Sequence, residues 1–253
     1  MMRSLYRLAA VVALVAAASS LAGTSAAQTP PDAETSFNSG LQHLRENRPE
    51  MALEDFKRAV KLDDKSPYFQ KGLGLAYSQL RKYDEAIAAF RRALVINPYY
   101  VDVRNDLGAA LVLSGKRTEG RAEWIAAYNE PTNPTPDLSA RNLGQSYLEE
   151  QNFQESASWF RSSLGKNPKQ VDAYTGLASA LSGLQRPEEA IPVLEGALKE
   201  SPGETGLLLA LGDVLYRAGR FTEARARLDE VIKKDANSLA GRRAQEMLKH
   251  FPR

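Results

Sequence analysis

The chain repeats itself every 34 residues, and that period constrains its fold more than any other feature. The clearest unit runs from Pro67 to Tyr100 and contains Leu73-Gly74, Tyr77, Tyr83, Ala86, Phe90, Ala93 and Pro98. Moving the frame along the chain returns the same size classes. Gly74 is matched by Gly40, Gly108, Gly144, Ala178 and Gly212; Ala86 by Ala52, Gly120, Ser156, Ala190 and Ala224. Phe90 is echoed by Phe56, Trp124, Phe160, Leu194 and Leu228, and Ala93 by Ala59, Ala127, Ser163, Ala197 and Val231. Small residues at the eighth and twentieth places let two helices of a unit approach, and the large residue at the twenty-fourth fills the space beside them. Pro98, Pro168 and Pro202 then stop the second helix, because proline cannot continue the hydrogen-bond ladder.

These residues resemble the tetratricopeptide repeat over residues 33 to 238, six units with two extra residues. The resemblance implies an all-α fold: a right-handed α-solenoid of six helix pairs plus a C-terminal capping helix, continuous rather than split into two domains. The expected units are 33–66, 67–100, 101–136 with the two-residue insertion, 137–170, 171–204 and 205–238. Residues 239–253 follow as cap and tail. In the cap, Leu239, Ala244, Met247 and Leu248 share one side, with Arg242, Arg243, Gln245 and Lys249 outward. Stacked repeats bury their core only against neighbours, so an exposed end needs such a polar-faced cap.

Ahead of the repeats, residues 1–27 have the parts of a secretory signal: Arg3 and Arg7, an apolar run from Leu8 to Ala18, and small residues at Ser25 and Ala27 before a cut at Gln28. An uncleaved anchor is the other reading, but the run is about half the roughly 20 residues that span a bilayer. Residues 28–32, with Thr29, Pro30 and Pro31, read as a short extended leader. Leu21-Ala22-Gly23 is similar to the start of a lipoprotein lipobox, yet Thr24 stands where the lipid-accepting thiol belongs. The expected mature protein is therefore periplasmic, without a membrane span, and not lipidated at Thr24.

Charge narrows the partners further. Of 33 Lys and Arg residues, Arg3 and Arg7 lie in the signal, leaving 31 against 31 Asp and Glu. A net charge of zero argues against nucleic acid, which needs clustered cations. The chain has no cysteine, so disulfides, thiolate metal sites and cysteine nucleophiles are excluded.

Repeats of this family line a concave groove chiefly with their first helix, and this places a protein-binding surface on named residues. Phe37, Leu41, Leu44, Tyr68, Lys71 and Leu75, with Tyr99 and Tyr100 at the next junction, form an apolar start. The alternative is that some of these side chains pack against the N-terminal leader or within the stack. Asn105, Arg141 and Gln145, together with Asp102, Asp172, Thr175, Asp213 and Tyr216, make the rest polar. The carboxylate clamp of chaperone adaptors is not matched, because Leu41, Leu75 and Ala109 stand where asparagine is wanted.

The third unit departs from the others: Glu130-Pro131-Thr132-Asn133-Pro134-Thr135-Pro136 predicts a longer, extended turn before the frame resumes. That insertion, with six repeats behind a signal peptide, resembles the type IV pilus pilotins, and implies a role in secretin assembly at the outer membrane. A general envelope adaptor in cell division or peptidoglycan machinery is the competing reading. Pilotins are typically lipoproteins, and Thr24 departs from that pattern.

No catalytic constellation, cofactor motif or metal site is read from the residues. His43 occupies the place of Tyr77 and Tyr147, which predicts a packed ring, and His250 falls in a final helical turn. Asp63-Asp64, Glu149-Glu150 and Glu188-Glu189 fall near turns, where carboxylates are readily solvated. Gly72, Gly74 and Gly108 occupy helical positions with no strand before them, so they form no phosphate loop.

Overall fold

A computed structural model describes residues 31–252, with thirteen α-helices and no strand among them. The expected signal of residues 1–27, including Thr24, and residues 28–30 of the leader lie outside the described residues. The chain divides into two compact units at the Pro98–Tyr99 step, where the sequence reads as one uninterrupted array. Repeat cores form only between neighbouring helices, so the apolar clusters can close separately on each side of such a step.

The first unit holds α1 (Pro31–Arg45), α2 (Pro49–Leu62), α3 (Pro67–Gln79) and α4 (Tyr83–Ile96). The second holds α5 (Val101–Leu113), α6 (Arg117–Asn129), α7 (Pro136–Glu149), α8 (Phe153–Lys166), α9 (Val171–Gly183), α10 (Pro187–Glu200), α11 (Thr205–Arg217), α12 (Phe221–Asp235) and α13 (Leu239–Lys249). Within each unit, every helix packs on its predecessor, and odd-numbered helices also touch the next odd-numbered one. Residues 31–32, expected in the leader, instead form the first turn of α1. Proline suits that position because its missing N–H would have no partner there.

The helix stops fall where the prolines dictate. α4, α8 and α10 end two residues before Pro98, Pro168 and Pro202, and the intervening N–H of Asn97, Asn167 and Ser201 still reaches the last turn at Ala93, Ser163 and Ala197. The turns between the paired helices have a feature the composition hides. Asn47, Arg81, Gly115, Gln151, Gln185 and Gly219 occupy the same place in successive repeats, and all have φ between 57° and 91°. Four of the six are not glycine, although a side chain in this left-handed region is disfavoured by about 1–2 kcal/mol.

Close approach of the paired helices rests on the small residues. A β-carbon on Gly40 would lie 2.7 Å from Phe56 Cε1, and one on Gly74 2.5 Å from Phe90 Cε1. Gly108 stands likewise against Trp124, Gly144 against Phe160 and Gly212 against Leu228. Two further glycines work between repeats: Gly72 meets the other side of Phe56, and Gly176 the other side of Phe160. Both rings are almost wholly buried between two glycines.

The connection from α6 to α7 is longer than its counterparts, as the insertion predicts, but it is not extended. Asn133 folds it into a hydrogen-bonded turn: its Nδ2 donates to the Ala127 carbonyl (2.7 Å), and its Oδ1 accepts from the Thr135 N–H (2.8 Å). The Glu130 carboxylate adds a bond from the Thr132 hydroxyl (2.8 Å). A short amide or carboxylate that captures nearby backbone offsets the extending tendency of the prolines.

At the end of the second unit, α13 covers α12 and α11. Ala244 is buried, Met247 and Leu248 are half-buried, and Arg242, Arg243, Gln245 and Lys249 face out, but Leu239 is 60% exposed. Leu239 stands in the first turn, directly after the Ser238 cap whose Oγ accepts the Gly241 N–H (2.9 Å), outside the packed stripe. Phe251, beyond the helix, is buried in its stead.

Candidate protein-binding surface

In the first unit, the residues expected to open the groove divide between core and surface. Leu44 is 5% exposed and belongs to the cluster built on Phe56 and Ala76, so it is a core residue. Phe37 is a wedge, its ring 5.6 Å from that of Phe56 and 5.1 Å from that of Phe69. Leu41 and Leu75 are half-buried against the same cluster, and Lys71 is buried. The reason is the contact between α1 and α3: a first helix must cover both its partner and the next first helix, which widens its buried stripe. Tyr68 alone of this set stays exposed, at 51%. The large apolar side chains left in solvent here lie mostly on the second helices: Met51 and Leu62 on α2, and Val95 on α4. Sequence reasoning looked only at first helices and missed them.

His43 is a bonded ring as well as a packed one. Its Nδ1 lies 3.0 Å from Asp55 Oδ2, which also accepts the Ser39 hydroxyl at 2.6 Å, clasping α1 to α2. One carboxylate oxygen thus holds both the serine and the histidine of α1.

In the second unit, Tyr99 is 73% exposed and Tyr100 half-buried; the Tyr100 carbonyl accepts the Val103 and Arg104 N–H groups at the start of α5. Asn105 joins three elements. Its carbonyl accepts the indole N–H of buried Trp124 (3.0 Å), and its Oδ1 accepts the Ser139 hydroxyl of α7 (2.7 Å). Arg141 on α7 reaches Asp172 on α9, Nη1 to Oδ2 at 3.0 Å. Gln145 bonds Glu149 on its own helix (3.4 Å). The first-helix face of this unit thus presents polar groups held by one another, with exposed Asp172 oriented by Arg141. Thr175 adds a half-buried hydroxyl one turn further on.

The acidic pairs have distinct partners. Glu149 and Glu150 are not merely solvated: Arg117 bonds Glu149 (3.2 Å) and Arg121 bonds Glu150 (2.6 Å), tying α6 to α7. Glu188 pairs with Arg220 at 3.6 Å and Glu189 with Arg186, while Asp63 accepts the Lys65 N–H (3.0 Å). Among the described residues, no group of three or more acidic or histidine side chains is arranged to hold a metal ion. No helix among them is long and apolar enough to cross a membrane.

Comparison with known proteins agrees with this architecture. The structure is similar to the crystal structure of PilW, described as a widely conserved type IV pilus biogenesis factor, with a TM-score of 0.71 and 20% identity over 87% of this chain and 99% of that one. A second similar structure, Pseudomonas aeruginosa PilF, gives 0.67 and 18% identity over 85% and 97%. Among curated proteins, the Homo sapiens protein O-mannosyl-transferase TMTC3 is 24% identical over 84% of this chain, which spans only 24% of that protein's length. Tetratricopeptide-repeat family models match residues 37–101, 71–134, 141–205 and 181–248. The chain belongs to the tetratricopeptide repeat family, whose repeats serve as protein-interaction scaffolds.

Proposed function

We propose that this chain is a non-enzymatic scaffold of the bacterial periplasm that assists assembly of a type IV pilus secretin, in the manner of a pilotin. The observation that carries the reading is the likeness to PilW over nearly the whole of both chains, since isolated repeat segments would match only part of such a protein. Residues 1–27, read as a cleaved signal, supply export, and Thr24 leaves the protein without a lipid at that position. Exposed Tyr68 and Tyr99 are the aromatic contacts offered to a partner, because tyrosine gives a large contact area at low entropic cost. Asn105, Arg141 and Gln145 provide polar register along the second unit.

The test is a deletion strain in which secretin multimers and twitching motility are measured. Loss of multimers, restored by the wild-type chain, supports the reading; normal multimers and normal twitching overturn it and favour a general envelope adaptor. Tyr68→Ala and Tyr99→Ala are the matching variants, since they change exposed rings and leave the cores intact. Leu41→Asp and Leu75→Asp would charge side chains packed on the Phe56 cluster and so confound binding with folding.

A further inference from the structure

The repeat frame continues past the sixth unit into α13, where 34 residues separate Asp213 from Met247 and Tyr216 from His250. A cavity of about 100 Å³ opens between α11 and α13, lined by Asp213, Tyr216, Met247, His250 and Phe251. Its walls are fixed by packing. The Tyr216 and Phe251 rings lie 4.9 Å apart, Phe221 stands 5.4 Å from Tyr216, and the Tyr216 hydroxyl donates to the His250 carbonyl (3.2 Å). Arg225 lies over the Phe251 ring at 5.3 Å. Asp213 already accepts Arg217 Nε through Oδ2 (2.8 Å), which compensates its charge.

Size and chemistry narrow the occupant. The space corresponds to about three waters, far below the several hundred Å³ of a cofactor pocket. Two aromatic rings and a thioether favour an aliphatic group of about four carbons. The chain that forms it is basic: Asp213 to Pro252 contains nine Lys or Arg residues against six Asp or Glu, although residues 31–252 as a whole have no net positive charge. Four of those six acids are committed, Asp213 to Arg217, Glu223 to Arg220, Glu230 to Arg227 and Glu246 to Lys249. Arg225 and Arg243 are left facing solvent without a carboxylate partner among the described residues.

We propose that this cavity is an anchor subsite for one leucine- or isoleucine-class side chain carried on an acidic, extended segment of a protein partner. It rests on the reading of the first-helix face as the partner surface, and it adds an apolar terminus to a groove that the sequence reads as polar there.

The test is methionine-methyl NMR of the full chain, with Met247 as reporter at the cavity and Met51, exposed on α2, as reference. The probes are capped peptides Asp-Glu-Leu-Glu-Asp, its Leu→Gly counterpart, and Lys-Arg-Leu-Arg-Lys. The expected result is a saturable shift of Met247 but not Met51 with the acidic leucine peptide, and binding weaker by about tenfold or more for the other two. Because the peptides alone are varied, folding of a variant cannot obscure the result. An unmoved Met247, or equal binding of the Leu→Gly peptide, overturns the subsite. That failure is distinct from failure of the scaffold reading, which turns on secretin multimers and does not involve Met247.

Discussion

The ring of Phe160 rests on the backbone of Gly144, where an added β-carbon would come within 2.9 Å of Cδ1. Gly176 closes the ring's other side, so Phe160 has nowhere to retreat. Gly144→Ala gains about 1 kcal/mol of helix propensity but suffers overpacking of about 1–3 kcal/mol. A net loss of up to about 2 kcal/mol is expected in chemical denaturation. Gly196→Ala is the control: it is exposed, inside α10, with no atom near its would-be β-carbon, and should stabilise by about 0.5–1 kcal/mol. Adding Phe160→Leu to Gly144→Ala should restore part of the loss, because the fifth repeat already combines Ala178 with Leu194 in its core.

The left-handed turn residues give an opposite expectation. Gln185 is exposed at φ 60°, and its side chain accounts for the strain. Gln185→Gly removes about 1–2 kcal/mol of steric cost and adds about 0.5–1 kcal/mol of unfolded-chain entropy. The midpoint of unfolding should therefore rise, by the equivalent of about 0.5–1 kcal/mol. Gly219→Ala, at φ 76° with open space around it, should lower it.

These two cases mark what could be read in the sequence. The repeat was legible because close packing sets side-chain size at fixed places, and Gly40, Gly74 and Gly144 each face the large residue sixteen positions on. Gly72 and Gly176 left a usable signal as well, since a glycine inside a helix costs stability and needs a packing reason. The turn at place fifteen was hidden because Asn, Arg, Gln and Gly share a backbone conformation and no side-chain chemistry. The fate of Leu44 was equally hidden: its place on α1 is a surface position for one helix pair and becomes core only when the next first helix packs against it. Tyr68 stayed legible as a surface residue, and the inter-repeat arginines did not, because their partners lie 25 to 32 residues away.

Glu223, in the basic terminal region, should titrate low. Arg220 grips Glu223 through Nε and Nη2, at 2.7 and 2.6 Å, and these hydrogen bonds hold its carboxyl below the usual carboxylate range. A depressed folded value means that the contribution to stability is present above the ordinary carboxylate range and is lost as pH falls through the folded value. The group is solvent-exposed, so the effect is local and weakens with salt. Carboxyl-carbon NMR should place the Glu223 midpoint below that of exposed glutamates, and Arg220→Ala should raise it toward them. A midpoint unchanged by Arg220→Ala would remove the assigned cause.

Arg121 joins the third repeat to the fourth across the longer turn. Its Nε donates to the Ser146 hydroxyl (3.0 Å), and its Nη2 to the Ser146 carbonyl (2.9 Å) and to Glu150 (2.6 Å). Its guanidinium also stacks on Tyr147, 3.9 Å from the ring centroid, with the side chain only 13% exposed. Lysine is a point charge and cannot place donors in this fork or lie flat on the ring. Arg121→Lys should therefore cost about 1–2 kcal/mol, and Arg121→Ala about 2–3 kcal/mol because Ser146 and Glu150 lose their partner. Hydrogen exchange separates this from a general loss of stability: protection should fall first along α6 and α7, while α11 to α13 keep theirs. Uniform loss across the second unit would show instead that Arg121 supports the whole array rather than one junction.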